Sequence, residues 1–462
     1  MSLLQFAARF YRNHMRPYRF VRVPKEAVFH VIWYIRWHIL RPFVRAVIPA
    51  RILIRYHALR SMGPKGVRYR SKAVSFPILT HTEAAERGLS AEFFVAFPAS
   101  GRPCNPPRML PSQLAEKLPA LPPVETDFPP VVVHQLQSAV VAGRTNLVWL
   151  QQTVLQHDKA DYGRDYTSEE LNGRLHIDPS RRTVRWLSEL EPNYQVAHGV
   201  AFTDAVSANY AHWLTEVLPR LHAYAVTRPD SHATALLDAG LHANLKASID
   251  LVLPVSMPRL ELVPSERVGV GRLELVSVAG YIPFDRRIRC GSGHSHGTFS
   301  AAALTSMRDH LARSVGDPER SSPRRVMLRR SSAARSMVNE QEIEEALLAH
   351  GFVTIYPERL TFAQQVQLFR GAEMVVGATG AAMANSIFCQ PDARIVICVS
   401  AHPAHGYNYW QAMAGAVGNR VHYVLGSIKG SSAPGVHSDF SVELPHLFEA
   451  LELPPALLST PK

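Results

Sequence analysis

A histidine and a glutamate suited to proton transfer stand four residues apart in this 462-residue chain. They are His212 and Glu216 in the segment Asn209-Tyr-Ala-His-Trp-Leu-Thr-Glu. Residues four apart lie on one face of a helix, so the carboxylate can orient the imidazole and tune its charge. The spacing therefore predicts a general base. The alternative is a packed core histidine that bonds a neighbouring carbonyl.

A second group has the pattern of an anion site. In Met374-Val-Val-Gly-Ala-Thr-Gly-Ala-Ala-Met-Ala-Asn, a buried-type strand runs through Gly377 and Gly380 into an Ala-rich helix. Glycine lets the backbone approach a phosphate closely, and the unpaired amides at a helix start attract negative charge. The pattern predicts phosphate binding, and the alternative is a turn that only needs glycine geometry.

Arginines follow the strand predicted at 325–328. Arg329 and Arg330 end this strand, Arg335 lies in the next loop, and Asn339 opens a helix. Arginine forks can hold a diphosphate at the carboxyl end of a strand, where open α/β sheets bind ligands. The alternative for Arg329 and Arg335 is a solvated surface, and Asn339 is also expected to cap its helix.

Alternating strands and helices must position these groups, which predicts an α/β fold with parallel layers. The predicted elements of the first half are strands at 131–133, 147–150, 251–253 and 273–278 and a helix at 209–224. In the second half they are helices at 300–314, 339–350, 361–370, 380–388 and 408–417 and strands at 325–328, 352–355, 374–376, 395–399 and 421–424. The second half resembles a Rossmann domain, and the glycine-rich stretch 281–299 is the expected linker.

Charge is concentrated at one end of the chain. Residues 1–72 contain sixteen Lys or Arg and one acid, Glu26, so they account for more than the whole net charge of +12. The rest is not basic, which argues against a nucleic-acid-binding protein. Trp33, Tyr34 and Trp37 are residue types that settle at lipid headgroups, so an arm on an anionic membrane surface is expected. The alternative is that the arm wraps the protein's own core.

The cysteines and histidines suggest neither a disulfide framework nor a metal site. Four cysteines without regular spacing favour a reducing compartment. Cys290, His294 and His296 share a Gly/Ser-rich loop with no second ligand group nearby. A cytoplasmic location, peripheral on the inner face of a bacterial cell membrane, is therefore expected.

Taken together, the motifs resemble glycosyltransferase family 61 over roughly residues 195–425. The resemblance rests on the His212 segment, on Leu328-Arg-Arg-Ser through Asn339-Glu, on Pro357-Glu-Arg-Leu-Thr-Phe, and on Gly377-Ala-Thr-Gly through Asn385. It implies a GT-B fold, in which two Rossmann-like domains face a cleft. The expected boundaries are 1–72 for the basic arm, 73–290 for the acceptor-binding domain and 291–462 for the nucleotide-sugar-binding domain.

The resemblance also implies an inverting, metal-independent transfer from a nucleotide sugar, expected to be UDP-linked, with no other cofactor. The acceptor is expected to be a glycan or glycolipid of surface or capsular polysaccharide synthesis. The sequence contains no Asp-x-Asp pair of the kind that anchors a metal–diphosphate complex. The expected donor-binding residues are Arg329, Arg330, Arg335, Asn339, Glu358, Gly377, Thr379, Gly380, Ala381 and Asn385.

Inversion needs a base that takes the proton of the acceptor hydroxyl. His212 is the first candidate, supported by Glu216, and Asp204 in the preceding loop is the second. Members of the family commonly have His in place of Thr379 and an acid in place of Cys398. These two departures leave open the alternative of a catalytically silent scaffold that binds a nucleotide or glycan.

Overall fold

The computed structural model describes residues 75–454 except 105, 122–123, 125, 172–173, 187–190, 284, 287–296, 319–321, 330–335, 404 and 430–437. All described residues belong to one compact unit. The predictions for the arm (residues 1–72), for Arg330 and Arg335, and for the Cys290, His294 and His296 loop lie outside the described residues.

The first half of the described chain is rich in strands. Its strands are β1 (Ser75–Thr80), β2 (Ser90–Phe97), β3 (Arg108–Leu110), β4 (Val131–Ala142), β5 (Val148–Leu150), β6 (Thr153–Gln156), β7 (Asp165–Tyr166), β8 (Leu175–Asp178), β9 (Thr183–Trp186), β10 (Tyr194–Ala201), β11 (Thr234–Asp238), β12 (Arg259–Leu262), β13 (Arg267–Val276), β14 (Gly280–Tyr281) and β15 (Asp285–Arg286). Its helices are α1 (His81–Glu86), α2 (Ser112–Ala115), α3 (Ser168–Leu171), α4 (Tyr210–His212), the π-helical turn Trp213–Val217, α5 (Leu218–Thr227) and α6 (Ala243–Val252).

These strands form a mixed sheet in the order β12-β11-β10-β13-β4-β5-β6-β1-β9-β8, with β2 also paired to β4. The parallel layering that the sequence predicts is present from β12 to β13. The sheet continues through antiparallel pairs from β13 to β4 and β5. The predicted strand covers only the first three residues of β4, because the polar residues His134, Gln135, Gln137 and Ser138 interrupt the apolar run after Val133.

The second half alternates strands and helices. Its strands are β16 (Thr298–Phe299), β17 (Arg325–Leu328), β18 (Val353–Ile355), β19 (Met374–Ala378), β20 (Arg394–Ser400), β21 (Arg420–Ile428) and β22 (Phe440–Ser441). Its helices are α7 (Ala301–Val315), α8 (Glu340–Leu348), α9 (Phe362–Gly371), α10 (Tyr407–Val417), α11 (Leu444–Leu451) and the 3-10 helices Pro357–Arg359 and Ala381–Phe388.

The second sheet has the order β18-β17-β19-β20-β21-β22, and the pairs from β18 to β21 are all parallel. This confirms the predicted alternation and the α/β class. Strand β3 of the first half also joins this sheet, parallel to β21.

Three predicted elements differ from the structure. The strand predicted at 251–253 is the end of α6, because Leu245, Ile249 and Val252 are buried at helical spacing and the apolar run closes that face. The helix predicted at 209–224 contains the π-helical turn, and the helix predicted at 380–388 is a 3-10 helix.

One apolar core joins the two halves. Trp213, Leu214 and Leu218, which are at most 1% exposed, belong to the same buried cluster as Phe362 and Phe388 of the second half. The start of the helical segment at Tyr210 therefore packs directly against the 3-10 helix that follows β19. This packing places the candidate base beside the candidate phosphate-binding turn.

Candidate active site

The helical segment that begins at Tyr210 widens into a π-helical turn for a local reason. The Asn209 side chain caps its start by accepting from the Ala211 amide at 3.0 Å. Pro219 has no N–H for the Thr215 carbonyl four residues earlier, and its ring would collide with that carbonyl in a regular helix. The turn Trp213–Val217 relieves the collision.

The displaced Thr215 carbonyl is accommodated by a glycine. A Cβ on Gly280 would lie 2.2 Å from the Thr215 oxygen, so only glycine fits there without movement of backbone. Two residues later, the Ile282 amide donates to Glu216 Oε1 at 2.9 Å. The segment 280–282 therefore holds both the π-helical turn and the Glu216 carboxylate.

His212 and Glu216 form the contact that their spacing predicts. His212 Nδ1 and Glu216 Oε2 share a short hydrogen bond, and the two residues are 9% and 8% exposed. Burial alone would lower the pKa of His212, but the charge and hydrogen bond of Glu216, aided by Asp204, raise it above its usual value. Burial has the opposite effect on a carboxyl group, and it raises the pKa of Glu216. The imidazole is thus a strengthened base in a fixed orientation.

Asp204 is tied to Arg220. Its carboxylate accepts from Arg220 Nη2 at 3.0 Å and from the Val206 amide at 3.1 Å, and both charged residues are buried. Arg220 Nε also donates to the Glu216 carbonyl at 3.1 Å. Asp204, the second candidate base, is therefore held as the partner of a buried cation, which suits an electrostatic role.

His157 lies within electrostatic range of Asp204 and Arg220, and it was not a predicted site residue. It is 4% exposed, and its ring lies 4.9 Å from that of Tyr281. Burial lowers the pKa of His157 to about 4, with Asp204 raising it and Arg220 lowering it. The opposite shifts of His157 and His212 follow from the carboxylate that only His212 contacts directly. Nothing in the sequence around His157 pointed to this arrangement.

A cavity of about 330 Å³ opens at the junction of the two halves. Its lining includes three of the expected donor-binding residues, Glu358, Ala381 and Asn385, together with Tyr210. The Tyr210 hydroxyl donates to Asn385 Oδ1 at 2.7 Å, and burial raises the pKa of Tyr210, which keeps its proton in place. Tyr210 was not predicted as a site residue, although it belongs to the motif that carries His212.

The remaining residues of the turn are held by the sheet. Thr379, 5% exposed, donates its amide to the Cys398 carbonyl at 2.9 Å and accepts from Trp410 Nε1 at 3.2 Å. Gly377 lies within β19, and a Cβ there would approach the Leu328 Cβ to 3.0 Å. Gly377 therefore packs closely against β17, whereas Gly380 directly precedes the 3-10 helix.

Arg329 and Asn339 have intramolecular partners. The Arg329 guanidinium donates to Glu340 at 2.9 Å and to Glu344 at 2.5 Å, both on α8. Asn339 stands at the start of α8, but the predicted side-chain cap is wrong. Its amide instead pairs with the backbone of Val442, because that strand-side partner lies within reach. A diphosphate would have to compete with Glu340 and Glu344 for Arg329.

The described ranges contain no group of three or more His, Cys, Asp or Glu side chains placed to hold a metal ion. Among the helices that the structure describes, none is both long and apolar enough to cross a bilayer.

Residues 210–396 match the family model Glycosyltransferase 61. This segment is similar to glycosyltransferase family 61. The match, called the family 61 segment below, begins at Tyr210, ends within β20, and contains His212, Glu216 and the second-half residues of the cavity. It covers less than half of the chain, and Asp204 lies outside it. No curated protein matches the chain.

Proposed function

We propose that this protein is an inverting glycosyltransferase of the GT-B type that transfers a sugar from a nucleotide sugar to a glycan or lipid-linked acceptor. The observation that carries the proposal is the buried His212–Glu216 pair, which lies inside the family 61 segment. His212 follows Tyr210, a lining residue of the junction cavity, by two residues. Residues 73–290 would bind the acceptor and residues 291–462 the donor.

In this reaction the acceptor oxygen attacks the anomeric carbon from the face opposite the leaving group. The bond between that carbon and the diphosphate breaks, and its electron pair leaves with the diphosphate. With Nδ1 directed at Glu216, Nε2 carries the lone pair of the neutral ring and takes the acceptor proton. Glu216 stabilises the imidazolium that forms.

The leaving diphosphate would be stabilised on the second half without a divalent ion. The 3-10 helix Ala381–Phe388 begins at the cavity, and its first amides and dipole favour an anion there. Preorganised donors of this kind are commonly a large part of catalysis. Glu358, on the rim of the same cavity, is proposed to accept from hydroxyls of the donor.

The test is transfer by the purified full-length chain from a panel of nucleotide sugars, beginning with UDP-linked ones, with and without glycan and glycolipid acceptors. We expect acceptor-dependent release of nucleotide that is insensitive to EDTA, and NMR of the product should show an inverted anomeric configuration. Retention, or a requirement for added metal, would contradict the mechanism.

A catalytically silent scaffold is the second candidate, favoured by one observation. Cys398 occupies the position of a common family acid, and it is fully buried within β20 with its pKa raised by burial to about 12. Nucleotide release separates the candidates, because a scaffold binds nucleoside diphosphates in a thermal-shift measurement but releases no nucleotide from any nucleotide sugar. The nucleobase that stabilises most identifies the donor class.

The basic segment 1–72 is proposed to hold the enzyme on an anionic inner membrane surface, where a lipid-linked acceptor of surface or capsular polysaccharide synthesis would be met. Deletion of residues 1–60 should release the protein from vesicles containing phosphatidylglycerol. Equal vesicle binding by the shortened chain would contradict this role.

A further inference from the structure

One tyrosine hydroxyl connects the two halves beside the cavity. The Tyr210 hydroxyl lies 2.7 Å from Asn385 Oδ1 and 3.0 Å from Gln365 Oε1. Asn385 Nδ2 in turn donates to Gln365 Oε1 at 2.8 Å. The three side chains form a closed triangle in which Tyr210 comes from the first half and its two partners come from the second.

The triangle is a stiff connection, because its side chains have few other hydrogen-bond partners within reach. Asn385 and Gln365 are 0% and 2% exposed, so water cannot readily replace a lost partner. A second link runs nearby, since Asn244 Nδ2 of the first half donates to the Leu360 carbonyl at 2.9 Å. Gln365 Nε2 donates to the same carbonyl at 3.2 Å, so the two links share one acceptor.

Because of its position in the chain, Tyr210 links the helix that carries His212 to the 3-10 helix that lines the cavity. Tyr210 is the first residue of α4, two residues before His212. Asn385 lies in the middle of the 3-10 helix, four residues after Ala381, and both residues line the cavity. A shift of one helix relative to the other would therefore change the distance between His212 and a ligand in the cavity.

We propose that Tyr210 is a positioning residue that sets the distance between the His212–Glu216 pair and the donor cavity, an inference that rests on the proposed transferase function. Ten residues besides Tyr210 line the cavity, and the Tyr210 hydroxyl is bonded to Asn385, so donor affinity should depend little on that hydroxyl. Attack of the acceptor hydroxyl on the donor requires aligned atoms. It therefore depends on the relative position of α4 and the 3-10 helix, which the Tyr210 hydroxyl maintains.

The test compares Tyr210→Phe with Tyr224→Phe. Tyr224 lies in the same helical segment, and its hydroxyl is also bonded, to Ser231 Oγ at 2.6 Å and to the Glu274 carboxylate. We expect Tyr210→Phe to lower kcat about tenfold or more while the donor KM changes less than about threefold. Tyr224→Phe should leave both constants near the wild-type values.

Two further readouts separate positioning from structural damage. The pH profile of kcat should keep its acidic limb in Tyr210→Phe, since Glu216 and not Tyr210 contacts His212. Hydrogen exchange should rise in both 210–217 and 381–388. If Tyr210→Phe does not fold, Gln365→Met tests the same triangle from the other half and should give the same kcat loss.

The possible failures are distinguishable. Wild-type kcat in a folded Tyr210→Phe variant overturns the positioning role and leaves the transferase intact. A kcat loss of equal size in Tyr224→Phe also overturns it, because the effect would then be general. Absence of transfer by the wild-type chain from every nucleotide sugar overturns the proposed function itself.

Discussion

Two neighbouring regions of this protein differ in the kind of residue they use. The acid–base cluster, defined as Asp204, His212, Glu216 and Arg220, consists of buried ionisable side chains that neutralise one another. The donor-side turn, defined as residues 379–385, contains no ionisable side chain. The contrast matches the two tasks proposed for them.

A proton acceptor must have a tuned pKa, and burial beside a carboxylate provides it. An anion site made of backbone amides needs close approach and small side chains instead. Changes in the acid–base cluster should therefore alter the chemistry, whereas changes around the donor side should alter binding.

The largest effect is expected for His212→Asn. Loss of the base should lower kcat by about 10²- to 10⁴-fold, while nucleoside diphosphate binding, measured by thermal shift, stays within about threefold of wild type. His232→Asn, at an exposed position, is the control. A variant that keeps more than a tenth of the wild-type kcat would show that the base lies elsewhere.

Glu216→Gln should act through the pKa of His212. The carboxylate raises this pKa above 6.5, so the acidic limb of the wild-type kcat/KM profile should lie above pH 6.5. In the variant the limb should move to lower pH, and kcat at its plateau should fall about tenfold.

The same pair affects stability. The raised folded-state pKa of His212 contributes stability that is complete below pH 6.5. This contribution is lost as pH rises through the folded-state pKa. Urea unfolding of the wild type should show this loss, and Glu216→Gln should lack it. If Glu216→Gln shifted neither the acidic limb of the activity profile nor the pH dependence of unfolding, Glu216 would not control the pKa of His212.

Gly280→Ala should damage the support of the acid–base cluster. The new Cβ would meet the Thr215 carbonyl at 2.2 Å, so we expect a loss of about 1–3 kcal/mol in the free energy of unfolding by urea. Gly371→Ala is the matched control, because its nearest neighbour would lie at an ordinary 3.4 Å. If the two substitutions lowered the free energy of unfolding equally, the π-helical turn would be able to move away from the new Cβ at little cost.

The smallest effect is expected on the donor side. Glu344→Gln removes one acidic partner of Arg329, which should tighten nucleoside diphosphate binding about threefold if Arg329 reaches the phosphates. Glu345→Gln is the control on the same helix, since Glu345 bonds Gln341 instead. Identical affinities in the two variants would place Arg329 outside the donor site.

Much of the second half was predictable from sequence. Strand β17 (Arg325–Leu328) has the predicted bounds, and β19, β20 and α10 begin or end within two residues of them. Short apolar strands between amphipathic helices carry a local signal, because each element's burial follows its own periodicity. The strand predicted at 251–253 was wrong because the helical periodicity of α6 begins upstream, at Leu245, and the apolar run is only its end.

Sequence spacing alone also determined the His212–Glu216 contact, because residues four apart on a helical segment meet wherever the segment lies. Only the tertiary structure decided that Arg329 faces Glu340 and Glu344, that Asn339 binds Val442, and that Tyr210 reaches Asn385. Each of these partners is distant along the chain or is one of several within reach. Their choice depends on how helices and sheets pack in space, which no local pattern encodes.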